Sequence, residues 1–203
     1  MSWWQKAASE TQVTHRQRVW LYILATIIMF LLVIPTVIVI PMSFSESQYL
    51  EFPPREWSLR WYQEYLNTPR WVNATITSFK VATLTMLVAT PFGTMAAYGL
   101  FVSGGRMSKM LFFTLMTPMI VPVILIAIGT FYVFGRIGLV NSIFGLVMAH
   151  TVLSVPIVMI IVTSALRTYD LNQERVAQSL GSTRIRAFFE ITLPQLKFSI
   201  VTA

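Results

Sequence analysis

Cysteine is absent from this 203-residue sequence, and histidine occurs only twice, as His15 and His150. Without cysteine, the chain has no disulfide framework, no thiolate nucleophile and no cysteine-ligated metal. The two histidines are too few and too far apart in the sequence to predict a zinc site, because such a site needs several clustered ligands. The sequence therefore predicts neither a metal centre nor thiol chemistry.

Charged residues are also scarce. They make up 11% of the sequence, whereas apolar residues make up 55%, and a soluble domain usually carries about 25% charged residues. Asp, Glu, Lys and Arg are missing from four long intervals, which lie between Arg18 and Glu46, Lys80 and Arg106, Lys109 and Arg136, and Arg136 and Arg167. Each interval is long enough to cross a bilayer, since about 20 apolar residues span the hydrocarbon core. The sequence therefore predicts an all-α, polytopic transmembrane helical bundle.

Four spans are predicted, and the start of another; they lie near residues 19–42, 81–102, 110–134, 143–165 and 195–203. The first apolar run is longer than that of a secretory signal peptide, so it is expected to remain as an uncleaved span. The last run is too short to cross a bilayer. We therefore expect a chain truncated at its carboxyl end, with an amino-terminal segment, 1–18, and one transmembrane domain, 19–203.

The distribution of Lys and Arg predicts the orientation of the bundle. With the amino terminus inside, ten basic residues fall in the inner segments and five in the outer segments, while the eight acids divide equally. Basic residues favour the cytoplasmic side, so the segment 1–18 is predicted to be cytoplasmic. The net charge of +7 is thereby explained by topology, and no nucleic-acid partner is expected.

The first outer loop, 43–80, is rich in aromatic residues. A short helix, 59–67, is predicted there, with Ser58 as its cap. The large rings suit the boundary between lipid and water; they belong to Trp57, Trp61, Tyr62 and Trp71. Two interpretations stay open, an interfacial anchor and a docking surface for an extracytoplasmic partner.

The inner segment 167–194 has the pattern of two short helices joined by a turn. Asp170 is expected to cap a first helix, 171–180. Gly181 follows, at the position where a residue of positive φ commonly ends a helix. The sequence therefore predicts a turn at Gly181.

The second half of this segment continues the pattern. Ser182 is expected to cap a second helix, which extends to about Glu190, and Pro194 suits the first turn of the next span. The segment is too polar to cross a membrane and too apolar to remain in water. It is therefore expected to lie at the cytoplasmic surface and to bind a partner.

This segment resembles the EAA loop of ABC importer permeases, whose approximate pattern is E-A-A-x3-G-x9-I-x-L-P. Arg175 stands at the position of the acid and follows Glu174, and Val176 and Ala177 occupy the two alanine positions. The resemblance implies a loop that couples the chain to an ATPase through Glu174, Arg175, Ala177, Leu180, Gly181, Ile191, Leu193 and Pro194.

The segment from Trp57 to Tyr62 is similar to the first outer loop of the spermidine/putrescine branch of these permeases. The segment 138–141, followed by His150 and Pro156, is similar to the fourth span there. The resemblance therefore implies a type I importer permease fold and a polyamine or a related small solute. Permeases for iron, sulfate or phosphonate have similar segments and remain alternatives.

The resemblance also implies partners and a location. A second permease subunit, identical or homologous, would enclose the pathway, two ATPase subunits would bind ATP on the cytoplasmic side, and an extracytoplasmic binding protein would deliver the solute. The sequence has no Walker A motif, G-x4-G-K-[ST]. The chain is therefore expected to be no enzyme, to hold no cofactor and to lie in a bacterial inner membrane as a multi-pass protein.

The spans contain no Asp or Glu, and this absence limits the choice of pathway residues. The candidates are Tyr98, His150 and Ser154. A secondary transporter is an alternative function, although such proteins often bury acids in their spans as ion sites. An intramembrane serine protease is a further alternative, because Ser154 and His150 are four residues apart and share one helix face.

Overall fold

The computed structural model describes residues 14–203, which are predominantly helical. Within this part of the chain the helices are, in order, α1 (Val19–Met42), α2 (Arg60–Asn67), α3 (Pro69–Ser103), α4 (Gly105–Ile120), α5 (Val123–Ile137), α6 (Ile143–Leu166), α7 (Asn172–Ser179), α8 (Arg184–Ala187) and α9 (Leu193–Val201). A 3-10 turn, His15–Arg18, precedes α1, and a π-helical segment, Phe188–Thr192, joins α8 to α9. Most of the predicted segment 1–18 lies outside the described residues.

Three helices are long and apolar enough to cross a membrane. They include α1 and α6, whose bounds nearly coincide with the predicted intervals 19–42 and 143–165, and α3, which begins earlier than the predicted interval 81–102. No side chain of α1 is buried within the chain. Because α1 is apolar around its whole circumference, it needs an apolar environment such as a bilayer.

The predicted span 110–134 is occupied by two helices rather than one. The structure places α4 and α5 there, bent by 99° at a short break. Val121 is extended, with φ −75° and ψ 132°, and Pro122 precedes α5. Proline lacks an N–H and disfavours the helical conformation of the residue before it, so the backbone of Val121 leaves the helix. The pair forms either one broken span or a re-entrant loop.

The chain divides into two compact units, residues 1–73 and 74–203. The first contains α1, the outer loop and α2; an antiparallel bridge between Ser45 and Trp57 closes the loop. The helix predicted at 59–67 is observed as α2, which begins at Arg60 and has Leu59, not Ser58, as its N-cap. Ser58 Oγ nevertheless accepts a hydrogen bond from the Arg60 backbone N–H at 3.1 Å.

The second unit has its core around α6. Helices α4 and α9 both pack on it. The buried core side chains belong to Ala97, Met116, Val158, Met159, Val162, Leu166 and Leu196. Four of these seven residues lie on α6, so α6 is the central helix of this unit.

Helices α3 and α6 approach each other closely at Gly93. A Cβ atom on Gly93 would lie 2.7 Å from Cβ and Cγ1 of Val158 and 3.3 Å from the carbonyl oxygen of Val155. A glycine is therefore needed here for the two helices to approach each other, as small residues do in membrane bundles. No atom would lie within 4 Å of a Cβ on Gly99.

We expect Gly93→Ala to destabilise the second unit, because Val158 would have to move. The expected loss is roughly 1–3 kcal/mol, typical of overpacking in a tight core. Gly99→Ala, on the same helix, is the matched control and should melt like the parent. The measurement is thermal unfolding of the purified chain in detergent. Equal midpoints for the two variants would contradict the contact.

Candidate functional site

The loop 167–194 begins with a helix, as predicted, but with a different cap. Helix α7 starts at Asn172, and Leu171 occupies the cap position. Asp170 lies one residue further out, and its Oδ1 accepts a hydrogen bond from the Asn172 backbone N–H at 3.0 Å. The carboxylate therefore satisfies one of the free donors at this end of the helix, although Asp170 is not itself the N-cap.

Gly181 ends α7 as the sequence predicted. Its φ is +94°, in a region that residues with a side chain rarely adopt. Its N–H donates to the carbonyl of Gln178, and the N–H of Ser182 donates to the carbonyl of Ala177, both at 3.0 Å. These two bonds form a Schellman motif, so the turn is determined locally.

The second helix differs from the prediction at both ends. Thr183, rather than Ser182, is the cap, since its Oγ1 accepts from the Arg186 N–H at 3.3 Å. The helix also does not stop near Glu190, because α8, the π segment and α9 follow without a break. Pro194 therefore lies in a continuous helical run. Just before Pro194, the hydrogen bonding has the π pattern, in which the Leu193 N–H donates to the carbonyl of Phe188. Such a π turn allows the helix to continue through a proline, which has no N–H to donate.

Glu174 is buried, with 3% of its surface exposed. Its Oε2 accepts a hydrogen bond from the Tyr98 hydroxyl at 2.6 Å, and its Oε1 accepts one from the Thr192 hydroxyl. The Tyr169 hydroxyl lies 2.9 Å from Thr192 Oγ1. Because a threonine has a single hydroxyl proton, Tyr169 donates to Thr192, which donates to Glu174. We call these four residues the Glu174 joint.

This arrangement corrects one expectation. The sequence suggested that Glu174 is on the face offered to a partner, but the structure buries it against α3 and the π segment. Tyr98, a predicted pathway residue, donates its hydroxyl proton to Glu174, and its ring centroid lies 4.4 Å from that of Phe188; its place in the pathway stays a prediction. Residues 98 and 174 are 76 positions apart, so no local spacing could have connected them.

Tyr169 remains protonated in this joint. Burial raises the pKa of its phenol, the hydrogen bond with Thr192 opposes this rise, and the negative charges of Glu174 and Asp170 add to it. Because the net shift is upward from about 10, the hydroxyl keeps its proton at physiological pH. At physiological pH, Tyr169 therefore remains the donor to Thr192, and Thr192 remains the donor to Glu174.

The loop also has an outward apolar surface, which we call the loop patch. Its side chains are at least half exposed; they belong to Val176, Leu180, Ile185 and Phe189. An exposed apolar patch of this kind marks a site of interaction. Of the other residues assigned to coupling, Arg175, Gly181 and Pro194 are exposed, and Ala177, Ile191 and Leu193 are half-buried.

The other two pathway candidates lie together. His150 and Ser154 line a cavity of about 650 Å³ between α3 and α6, opposite hydroxyl-bearing residues such as Thr77 and Thr90. Asp, Glu, Lys and Arg are absent from its lining. Its hydrogen-bonding groups are therefore the imidazole of His150 and the hydroxyl groups, and the cavity is open, since His150 is exposed. Among residues 14–203, no group of three His, Cys, Asp or Glu side chains could hold a metal ion.

The fold and the site together define a class, a polytopic helical membrane component whose loop 167–194 carries an exposed apolar patch. Residues 89–203 match the family described as "Binding-protein-dependent transport system inner membrane component". This match covers more than half of the chain, and the chain belongs to that family. Its members are permease subunits of ABC importers and not enzymes.

Curated relatives have two kinds of name. The spermidine/putrescine permease PotC of Haemophilus influenzae is 28% identical over 168 residues, which is 80% of this chain and 63% of the relative. The putrescine permease PotI of Escherichia coli is 28% identical over 155 residues, 72% of this chain and 54% of the relative. The molybdenum permease ModB of Mycobacterium tuberculosis is 29% identical over 161 residues, which is 73% of this chain and 59% of the relative. The chain thus spans less than two thirds of the length of these relatives.

A solved structure supports the fold alone. It is the crystal structure of a bacterial ABC transporter involved in the import of the acidic polysaccharide alginate. The TM-score is 0.66 at 17% identity, and the match covers 92% of this chain and 71% of the other. The predicted type I importer permease fold is therefore confirmed.

Proposed function

We propose that this chain forms part of the solute pathway of an ATP-driven importer and is coupled to a separate ATPase through the loop 167–194. The observation that carries the proposal is the Glu174 joint. On one side of it lies the exposed loop patch, to which α7 contributes Val176 and the segment after the turn contributes Ile185 and Phe189. On the other side, Tyr98 belongs to α3, whose residues line the cavity at His150 and Ser154.

Movement of the loop would reach the pathway through these contacts. An ATPase subunit that binds the loop patch would shift α7, and the hydrogen bonds of Glu174 would pull on α3 and on the start of α9. The chain has no Walker A motif, so ATP would be bound and hydrolysed on the partner. A second permease subunit and an extracytoplasmic binding protein complete the proposed complex.

The transported solute is a small polar compound, and the sequence favours a polyamine. The relatives named as spermidine/putrescine and putrescine permeases support this solute. The relatives named as molybdenum permeases favour a second candidate, an oxyanion.

The proposed function is tested by transport into proteoliposomes that contain the complete complex and its binding protein. ATP-dependent uptake of spermidine or molybdate that persists with an uncoupler is the expected result. Uptake that needs no ATP and collapses with the uncoupler would favour a secondary transporter and reject the proposal. Peptide cleavage by the purified chain would instead favour the protease alternative.

Orientation can be tested with single cysteines in this cysteine-free chain. We expect cysteines in place of Glu56 and Asn67 to react with an impermeant thiol reagent added outside intact cells, and cysteines in place of Lys109 and Ser179 to react only after the cells are opened. All four positions are exposed in the structure, so accessibility is decided by the side of the membrane. The reverse pattern would overturn the cytoplasmic placement of the loop 167–194.

A further inference from the structure

Two adjoining cavities lie in the first unit, in the outer loop and α2. The larger, about 560 Å³, is lined by Tyr49 and Tyr62 and by the apolar side chain of Leu50. The smaller, about 280 Å³, is lined by Glu64 and three large aromatic residues, Trp61, Tyr65 and Trp71. Trp61 and Tyr65 line both cavities, so the two share a wall, and we call them together the recess.

Contacts within the chain hold the walls of this recess. The Ser43 and Tyr62 hydroxyls are 2.7 Å apart, and the Tyr62 ring packs on Phe44 with centroids 5.4 Å apart. The Ser58 N–H donates to the carbonyl of Phe44 at 2.7 Å, beside the bridge that closes the outer loop. These bonds join the segment at Ser43 and Phe44 to the segment at Ser58 and Tyr62, so the recess is part of the folded unit.

The lining chemistry matches an organic ammonium group. Aromatic faces attract cations, and cages of aromatic side chains recognise alkylammonium ligands. The carboxylate of Glu64 adds a charge partner. The Arg60 guanidinium lies 5.0 Å from the centroid of Trp61, so one of these rings already contacts a cation of the chain, which a ligand ammonium group would have to share or displace. An alkyl chain would pack in the larger cavity against Leu50 and Met42.

The outer loop holds carboxylates but has no net charge. Residues 43–80 contain four Glu and four Lys or Arg, whereas between residues 74 and 166 there is no Asp or Glu. Attraction of an ammonium group to the recess therefore depends on Glu64 itself rather than on the charge of the whole loop. A purely interfacial anchor accounts for the rings, but it does not require a recess with a carboxylate in its wall.

We propose that this recess is a binding site for a linear diamine or polyamine. One ammonium group lies in the smaller cavity, beside Glu64 and between the rings of Trp61, Tyr65 and Trp71. The alkyl chain continues into the larger cavity, along Tyr49 and Tyr62. The proposal rests on the proposed function, because it assigns the solute class received by this permease.

The test is equilibrium binding of radiolabelled spermidine to the purified 203-residue chain in nanodiscs of uncharged phosphatidylcholine. We expect saturable binding that weakens with salt, and a loss of roughly three- to tenfold in affinity for Glu64→Gln. Trp61→Leu should weaken binding by a similar factor. Glu56→Gln is the matched control, since Glu56 is an exposed acid of the same loop outside both cavities, and it should bind like the parent.

Three results would overturn the site: no saturable binding, equal effects of Glu64→Gln and Glu56→Gln, or displacement of spermidine by molybdate. Glu64 is exposed, so its variant is expected to fold, and circular dichroism checks this. The assay contains no ATPase and no ATP. An absence of spermidine binding therefore rejects the recess as a polyamine site and does not bear on coupled uptake. Normal spermidine binding without ATP-driven uptake by the complete complex would instead reject the proposed function.

Discussion

Glu174→Lys is expected to abolish coupled transport, with a fall of at least roughly tenfold in uptake by the complete complex. The lysine ammonium would replace a buried carboxylate that accepts two hydroxyl protons, and a buried charge without its partners costs about 3–5 kcal/mol. We expect α7 to detach from α3 while the membrane helices remain packed, because the joint lies at the end of α3. The measurements are ATPase association, solute uptake and the abundance of the permease in membranes.

Glu190→Lys is the matched control for this prediction. This substitution changes the charge by the same amount in the same loop. The carboxylate of Glu190, however, is exposed and pairs with Arg186 at 2.8 Å on the surface. Exposed pairs of this kind contribute little, so ATPase association should remain close to that of the parent. Tyr98→Phe, which removes one donor and keeps the ring on Phe188, should fall between the two. An equal loss for both lysine variants would assign the effect to the charge of the loop surface rather than to the joint.

Gly181→Val is expected to uncouple the complex as well. The residue has a φ of +94°, where a β-branched side chain is strained, at a cost of roughly 1–3 kcal/mol. The strain would be relieved by loss of the Schellman turn, which would displace α7 from α8 and separate Val176 from Ile185 in the loop patch. Uptake and ATPase association should fall while the abundance of the permease is retained, as measured by immunoblotting of membranes.

Gly181→Asn provides the comparison, because asparagine tolerates positive φ better than other residues that carry a side chain. It should retain more uptake than the valine variant. Normal transport by Gly181→Val would show that the turn is not part of the coupling element. Disappearance of the protein would show that the residue acts on folding instead.

The turn at Gly181 was predictable because its signal is local. A helix end needs a residue of positive φ directly after its last turn, and all the atoms of the Schellman motif lie within six residues. The bent pair α4 and α5 is different. Pro122 was visible in the sequence, but proline inside a hydrophobic run is also compatible with a kinked helix, as the continuous α6 around Pro156 shows. Neighbouring helices decide between the two outcomes.

The amino-acid sequence was sufficient to predict a polytopic helical membrane protein, the approximate positions of its apolar helices, and the turn at Gly181 in the loop 167–194. Each of these depends on hydropathy or on backbone preference over a few neighbouring residues, which the chain carries wherever it folds. The burial of Glu174 against Tyr98, and the meeting of His150 and Ser154 in one cavity, could be seen only in the folded protein. The same holds for the recess that Trp61 and Glu64 border. Such contacts depend on how separate elements pack, and a buried carboxylate and an exposed one look the same in a sequence until their neighbours in space are known.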